Sequence, residues 1–230
     1  MRKESKTMNV DVKNTPGTED FELKKDLPLQ KQSVVYIKTR IADSKSISTG
    51  SIITKDGCIL TCNHGVENAS EIKVRIKLDK DGAQDIRWED AEIVWKNTKA
   101  DLAILKIPGE DYPALHIRKN SEEEIKMGEP VYLLGYPFGS MLSDDEDALA
   151  VSMFPGNVVS IQKKDGLDYM YLDIEAKKGC GGSPVLSKTD GSIIGVYIGA
   201  FTQGNRNLIE EINYARPAML LWDEILTAEQ

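Results

Sequence analysis

Short apolar segments separated by turn residues run through the chain from Ser33 to Ala215. Many are rich in β-branched residues, and Gly, Asp, Asn or Lys stands between them, which is the pattern of short strands joined by turns. Six segments lie in the first half: Val34–Thr39, Gly50–Thr54, Cys58–Cys62, Ile72–Leu78, Ala91–Trp95 and Leu102–Ile107. Six more follow: Pro130–Gly135, Val151–Gln162, Leu167–Ile174, Pro184–Leu186, Ser192–Phe201 and Ile209–Ala215. The pattern therefore predicts an all-β fold.

Two sets of six strands predict two six-stranded antiparallel β-barrels, the first within residues 31–120 and the second within residues 121–230. Residues 1–30 are polar and have no apolar period, so a flexible N-terminal arm is predicted there. Pro217–Leu226 has an amphipathic helical pattern with proline near its first turn. A C-terminal helix is therefore predicted to follow the second barrel.

Composition narrows the classes of partner and the location. The chain has 230 residues, 40% of them hydrophobic, which is enough for one full core or a two-lobed one. Its net charge of −8 disfavours a nucleic acid or an anionic membrane as partner, because phosphate contacts need clustered Lys and Arg. No apolar segment near Met1 is long enough for a signal peptide or a membrane span. An intracellular, cytoplasmic protein is therefore expected.

The three cysteines do not form a predicted disulfide framework. Cys58 and Cys62 would lie about 13 Å apart in one extended strand, which is too far for a disulfide. A zinc site at Cys58, Cys62 and His64 would lack an obvious fourth ligand, and a strand splays such ligands apart. Free thiols, no metal and no organic cofactor are expected.

Polar residues at the ends of three segments indicate a hydrolytic site. His64 follows Cys58–Cys62, and Asp101 interrupts an apolar stretch, where a carboxylate needs a partner. The glycine loop, Lys178–Val185, contains three glycines that can turn successive N–H groups towards one point where negative charge develops. A His, then an Asp, then a loop of small residues is the chain order of chymotrypsin-type hydrolases.

From about Ser33 to Pro217 the chain resembles the protease domain of the HtrA/Deg branch of trypsin-like serine proteases. Four segments carry the resemblance: Ser48–His64, Ala100–Ile107, Leu134–Gly139 and Gly179–Val185. The first joins a strand, a turn and a catalytic His in one frame, so it is highly specific. Little chain follows the predicted C-terminal helix, so the peptide-binding PDZ module common in the family is not expected.

The resemblance implies a role for each candidate site residue. His64 would be the general base and acid, and Asp101 would hold its ring and stabilise the imidazolium. The family pattern Gly-x-Ser-Gly-Gly/Ser-Pro, aligned on Gly182-Ser183-Pro184, places Gly181 where the family has its nucleophilic serine. The N–H groups of Gly179 and Gly181 would form the oxyanion hole.

Glycine at position 181 leaves three interpretations open. In the first, the protein is a serine endopeptidase acting on protein or peptide substrates, and Ser→Gly at this position inactivates the chain. In the second, the chain is a catalytically silent pseudoprotease that binds peptides in the same cleft. In the third, Cys180 is the nucleophile, as in the chymotrypsin-like cysteine proteases of RNA viruses, although Lys178 replaces the glycine that this pattern requires.

The resemblance also indicates where a substrate would bind. Glu175 lies six residues before position 181, at the base of the primary specificity pocket in trypsin-like domains, where it could pair with a basic substrate residue. The alternative is that Glu175 faces solvent. Ile198, Gly199 and Ala200 would pair with the substrate backbone by β-addition, with room for a side chain beside Gly199.

Overall fold

The computed structural model describes residues 21–80, 82–119, 124–141, 143, 145–205, 208–218 and 220–221. In this part of the chain, strands dominate, and the all-β prediction is confirmed. The helical elements are α1 (Leu23–Gln32) and two 3-10 turns, Gly139–Met141 and Glu146–Ala148. The strands are β1 (Val34–Ile41), β2 (Ser44–Ile52), β3 (Cys58–Cys62), β4 (Glu71–Lys80), β5 (Ala83–Asp90), β6 (Glu92–Asn97), β7 (Leu102–Lys106), β8 (Pro130–Gly135), β9 (Ser152–Lys164), β10 (Leu167–Leu172), β11 (Pro184–Ser187), β12 (Ile193–Asn205) and β13 (Leu208–Pro217).

The first half of the chain forms a seven-stranded sheet in the order β5-β4-β1-β2-β3-β7-β6, where a six-stranded barrel is predicted. The additional strand is β5, which pairs antiparallel with β4 from Lys73 opposite Asp90 to Lys80 opposite Ala83. Its sequence is mostly polar, and its central residues are only half-buried. An apolar pattern could not reveal a strand that is held mainly by backbone pairing with its neighbour.

The second half of the chain forms a closed barrel in the order β10-β13-β12-β11-β8-β9, which matches the predicted six strands. All six pairings are antiparallel. β12 and β13 extend beyond the barrel as a long hairpin, because they stay paired as far as Asn205 opposite Leu208. β11 is only four residues long, so it leaves much of β12 without a neighbour on that side.

Apolar side chains form three buried clusters, one of which joins the two halves of the chain. Val74 and Leu105 belong to the cluster inside the first sheet, and Val131 and Leu172 belong to the cluster inside the barrel. The third, which we call the seam cluster, combines first-sheet residues such as Leu60 with barrel residues of β8, β11 and β12. Burying each such large apolar side chain contributes about 1.5–3 kcal/mol. The seam cluster therefore holds the two halves in a fixed relation.

The structure describes only part of the sequence at each end of the chain. Helix α1 covers part of the predicted flexible arm, whereas residues 1–20 lie outside the described residues. The Gln30 side chain is buried, donates to the Gly191 carbonyl and accepts from the Tyr132 hydroxyl, so it docks α1 on the barrel. The helix contains Pro28 and few apolar residues, so periodicity could not reveal it. Most of the predicted C-terminal helix lies outside the described residues, and it is not confirmed.

The predicted boundary between the two halves, at residues 120 and 121, lies in a connector that is only partly described. The first sheet ends with β7 at Lys106, and the barrel begins with β8 at Pro130. Between them, Ile117 already forms a parallel bridge to Ile193 of the barrel. The division at this residue stays a prediction.

Candidate active site

His64 lies directly after β3, in a turn that is fixed by backbone hydrogen bonds. The Asn63 N–H donates to the Asp101 carbonyl (3.1 Å), which joins the ends of β3 and β7. The N–H groups of Val66 and Glu67 both donate to the Asn63 carbonyl, at 3.0 and 2.7 Å, and close the turn after the histidine. The side chain of His64 is 52% exposed, so its ring faces the space between the two halves of the chain.

Asp101 contacts His64 through both of its carboxylate oxygens. Oδ2 lies 2.7 Å from the ring Nδ1, and Oδ1 accepts the His64 backbone N–H at 2.7 Å. Asp101 itself has φ +59°, a conformation that few residues other than glycine adopt, and the carboxylate is 23% exposed. A ring held this way carries its proton on Nδ1 and turns Nε2 towards the cleft.

The electrostatic surroundings favour the protonated imidazole. The hydrogen bond from Asp101 is the main cause, and a contact with Cys62 adds to it, so together they raise the pKa of His64 to about 10. Partial burial acts in the opposite direction. The ring therefore holds a proton on Nε2 more strongly than a free imidazole does.

The glycine loop is tied to the first sheet through Thr49 of β2. The Thr49 N–H donates to the Gly181 carbonyl (2.8 Å), and its hydroxyl donates to the Gly179 carbonyl (3.0 Å). Gly179 and Gly182 have φ of +97° and +84°, and a Cβ on Gly182 would lie only 2.2 Å from the Thr49 carbonyl oxygen. Glycine is thus required at position 182 for both conformation and space.

The N–H groups of Gly179 and Gly181 are not used by the fold. Among the backbone hydrogen bonds of the described residues, neither N–H is a donor, and both glycines are only partly buried. The neighbouring N–H groups are occupied, since Cys180 donates to the Lys177 carbonyl and Gly182 donates to the Tyr197 carbonyl. Two N–H groups two residues apart therefore have no backbone acceptor among the described residues.

Position 181, which we call the nucleophile position, lies opposite the histidine ring. A Cβ built on Gly181 would stand 3.4 Å from Nε2 of His64 and 3.7 Å from its Cε1. Among the described residues other than its two chain neighbours, the Cys62 sulfur lies equally close to that point, also at 3.4 Å. A hydroxyl or thiol attached there would lie within reach of the ring nitrogen.

The alternative nucleophile, Cys180, is directed away from the histidine. It is fully buried and belongs to the apolar cluster inside the barrel, where its Sγ would lie 3.4 Å from a Cβ on Gly135. Burial also raises the pKa of its thiol. The position of Cys180 inside the barrel does not favour the interpretation of this residue as the nucleophile.

Cys62 is the residue at this site that the sequence did not single out for catalysis. Its Sγ lies 3.7 Å from Nε2 of His64, and the side chain is buried in the seam cluster. The signal in the sequence is the spacing of two between Cys62 and His64, because residues two apart at the end of a strand lie on the same side. In the described part of the chain, no group of His, Cys, Asp and Glu is arranged to hold a metal ion.

The predicted substrate residues divide into two groups. Glu175 is 91% exposed, with its nearest cationic group in Lys177 at 3.7 Å, so it faces solvent and does not form the base of a pocket. Ile198 is buried, whereas Gly199 and Ala200 are partly exposed, and a Cβ on Gly199 would have no atom within 4 Å. The space that is predicted beside Gly199 is present.

In the described part of the chain, no strand pairs with one edge of β12 along these residues. β11 pairs with β12 only as far as Val196, while β13 pairs with its other edge as far as Asn205. Ile198 is the additional residue of a β-bulge, which turns the strand as it passes the cleft. An extended peptide could therefore add to this edge next to the nucleophile position.

Comparison with known proteins gives a consistent assignment. Residues 48–196 match the family model described as trypsin-like peptidase domain. Proteins named "Probable periplasmic serine endoprotease DegP-like" from Hahella chejuensis and Halomonas elongata are 30% and 31% identical over 161 and 165 residues. Each alignment covers 70% of this chain but only 31% of the relative, so the chain spans about a third of the relatives' length.

Solved structures show the same fold. The serine endoprotease from Yersinia pestis has a TM-score of 0.68 at 21% identity, over 93% of this chain and 67% of that one. The HtrA-type protease AlgW with tripeptide has a TM-score of 0.68 at 21% identity, over 91% of this chain and 65% of that one.

The comparisons correct the expected location. The matched relatives are named as periplasmic proteins, which points outside the cytoplasm, so the intracellular expectation is wrong. That expectation depended on the lack of an apolar leader near Met1, which is a feature of the chain's end and not of its folded domain. No helix in the described part of the chain is long and apolar enough to cross a membrane.

Proposed function

Because the chain belongs to the trypsin-like peptidase domain family and is of the HtrA type, we propose that its cleft binds extended protein segments in the geometry of peptide hydrolysis. His64 acts as the general base and acid, and Asp101 orients it. Gly181 stands at the position of the nucleophilic serine. The proposal rests above all on the point 3.4 Å from Nε2 of His64 at which a side chain of residue 181 would begin.

The roles follow from the contacts at the site. Asp101 fixes the ring through Nδ1, so that Nε2 faces the nucleophile position and can take a proton from it and pass it to the leaving amine. The N–H groups of Gly179 and Gly181 bind the carbonyl oxygen as it becomes negative. The open edge of β12 from Ile198 to Ala200 holds the substrate backbone by main-chain hydrogen bonds.

With glycine at position 181, the site lacks the attacking hydroxyl but keeps its other groups. The N–H donor stays, because the backbone there is anchored by the Thr49 bond to the Gly181 carbonyl. A triad without its nucleophile still accelerates hydrolysis through positioning and the oxyanion hole, but by a small part of the full effect. The chain therefore binds peptides and cleaves them slowly.

The test is cleavage of a peptide library by the full chain and by two variants, Gly181→Ser and Gly181→Ala. Gly181→Ser is expected to cleave at least about 10³-fold faster, because it restores the nucleophile. Gly181→Ala adds the same Cβ without the hydroxyl, so no gain is expected. Assays at several pH values between 7 and 10 are needed, since the serine-dependent rate rises as the imidazolium of His64 loses its proton.

A second candidate function is peptide binding without hydrolysis. The observation that favours it is the combination of an open β12 edge with glycine at the nucleophile position. If Gly181→Ser folds and binds the library peptides but gains no cleavage, the binding function replaces the peptidase proposal. If neither binding nor cleavage is found, both are wrong.

A further inference from the structure

A buried arginine of the barrel binds the backbone next to Asp101. Arg216 lies on β13 and is only 4% exposed. Its Nε donates to the Ala100 carbonyl at 3.0 Å, across the boundary between the two halves of the chain. Ala100 directly precedes Asp101, so this hydrogen bond holds the peptide group that leads into the aspartate.

The arginine side chain is fixed by its own half of the chain. Its Nη1 donates to the Asp168 carbonyl of β10 at 3.1 Å, and its guanidinium carbon lies 3.7 Å from the centre of the Tyr169 ring. A planar guanidinium that stacks on a ring and donates from its edge has little freedom to turn. The barrel therefore presents the Nε donor to Ala100 in a set position.

The backbone at Asp101 needs such support. Its φ is +59°, a left-handed conformation that an aspartate keeps where its surroundings hold it. Within the first sheet, the Asn97 side chain accepts the Ala100 N–H at 2.9 Å, and the Asn63 N–H donates to the Asp101 carbonyl at 3.1 Å. The remaining polar group of this segment, the Ala100 carbonyl, takes its hydrogen bond from Arg216.

The direction of the Asp101 carboxylate depends on this backbone. Both of its oxygens act on His64, because Oδ1 accepts the backbone N–H and Oδ2 lies 2.7 Å from the ring Nδ1. An aspartate side chain is short, so a turn of the peptide group before it would move the carboxylate off at least one of these contacts. Small displacements of a group that orients a catalytic base are costly for the rate.

We propose that Arg216 is a positioning residue, which holds the Ala100–Asp101 peptide group so that Asp101 keeps both of its contacts with His64. The inference rests on the proposed function, in which Asp101 orients the general base. Arg216 acts through Asp101 and takes no part in the reaction itself. The orientation of the histidine ring thus depends on both halves of the chain.

The first experiment measures the contact between His64 and Asp101 without any catalysis. NMR titration of the imidazole signals follows the pKa of His64, which is about 10 with the contact intact, in the full chain and in Arg216→Met. We expect Arg216→Met to lower this pKa by at least about one pH unit. Loss of a nearby positive charge by itself would raise the pKa of a histidine, so a fall reports a weaker contact with Asp101.

The second experiment measures catalysis. In the Gly181→Ser background, Arg216→Met should lower kcat by about 10²-fold and leave KM within about twofold, because the strand edge that binds substrate is kept. Arg75→Met is the matched control, since Arg75 is also a buried arginine that donates to two backbone carbonyls, those of Asp147 and Leu149. This control should leave kcat and the pKa of His64 unchanged, even where it lowers stability.

Tyr169→Leu keeps the arginine and decides the question if Arg216→Met does not fold. It removes the ring on which the guanidinium stacks, so we expect a smaller change of the same kind, with kcat about fivefold lower. An unchanged kcat and His64 pKa in folded Arg216→Met, or in folded Tyr169→Leu where the methionine variant does not fold, would overturn the role of Arg216.

Two other results separate this inference from its premise. An effect of Arg75→Met as large as that of Arg216→Met would also overturn the role of Arg216, because any lost buried arginine would then do the same. If folded Gly181→Ser gains no cleavage, the proposed function fails, while the titration of His64 still decides whether Arg216 holds Asp101 in place.

Discussion

The two halves of the site differ in what they contribute. The first sheet supplies side chains: His64 and Asp101 hold each other at 2.7 Å, and Cys62 lies against the same ring. The barrel supplies only backbone, because Gly179 and Gly181 contribute N–H groups and no side chain. Under the proposed function, the difference teaches that the groups for proton transfer and those for oxyanion binding come from separate halves of this fold. One half of the site can therefore lose its reacting group while the other half keeps its geometry.

The largest expected effect tests whether His64 and Asp101, the side chains that the first sheet supplies, act together in catalysis. In the Gly181→Ser background, Asp101→Asn should lower the rate of cleavage by about 10⁴-fold, because the ring loses its tautomer and its support. The measurement is the initial rate on the best library peptide. Glu175→Gln is the control, since this exposed carboxylate lies outside the site and should leave the rate within twofold. A similar loss in both variants would contradict the assignment of Asp101.

The second expected effect tests the glycine loop, which contributes only backbone groups to the site. Gly182→Ala should lower the free energy of unfolding by about 3 kcal/mol, because φ is +84° and the new Cβ would overlap the Thr49 carbonyl and the Thr61 hydroxyl. Gly199→Ala has open space around its Cβ and should change stability by less than about 0.5 kcal/mol. Chemical denaturation measures both. Equal stability of the two variants would show that the loop does not need its glycine.

The third expected effect concerns the ion pair between His64 and Asp101 in the first sheet. The chain has two histidines, so NMR titration of the imidazole signals can follow His64 directly. Its pKa should lie near 10 in the full chain, and Asp101→Asn should lower it towards the usual value of about 6.5. The pKa of His64 is higher in the folded chain than in the unfolded chain. The stabilisation from the His64–Asp101 pair is therefore complete below pH 6.5 and is lost as the pH rises towards 10. A His64 signal that titrates near 6.5 in both proteins would refute the pairing.

The smallest expected effect is that of a methyl group at the nucleophile position. Gly181→Ala places a Cβ at 3.4 Å from both the histidine nitrogen and the Cys62 sulfur, which is ordinary van der Waals contact. We therefore expect thermal unfolding within about 0.5 kcal/mol of the unchanged chain. A larger loss would mean that the backbone at 181 has adapted to glycine and that a serine there would not be tolerated either.

Much of this arrangement could be predicted from the sequence, for a physical reason. His64, Asp101 and the glycine loop follow from local signals, because a polar residue at the end of an apolar strand and glycines in a tight turn are visible without tertiary structure. The barrel strands were visible because their apolar residues are buried. Strand β5 and helix α1 were not, since one is held by backbone pairing and the other by the polar contacts of Gln30.

The direction of side chains at the site could not be predicted. Cys62 and Cys180 are both buried cysteines next to motif residues, yet one sulfur lies against the histidine and the other lies inside the barrel. The direction of each sulfur depends on the local backbone conformation, at the end of β3 for Cys62 and in the glycine loop for Cys180. Glu175 is similar, because counting residues back from position 181 gives its place in the chain but not the direction of its side chain.

Thr49 has a consequence for the order in which the protein folds. Three of its hydrogen bonds connect β2 to the second half of the chain: to the Gly179 carbonyl, the Gly181 carbonyl and the Tyr136 N–H. These hydrogen bonds to the glycine loop can form only when the first sheet is docked on the barrel. Under the proposed function, a folding intermediate with only one half formed would lack these contacts to the glycine loop, and a newly made chain would act on peptides only after its assembly is complete.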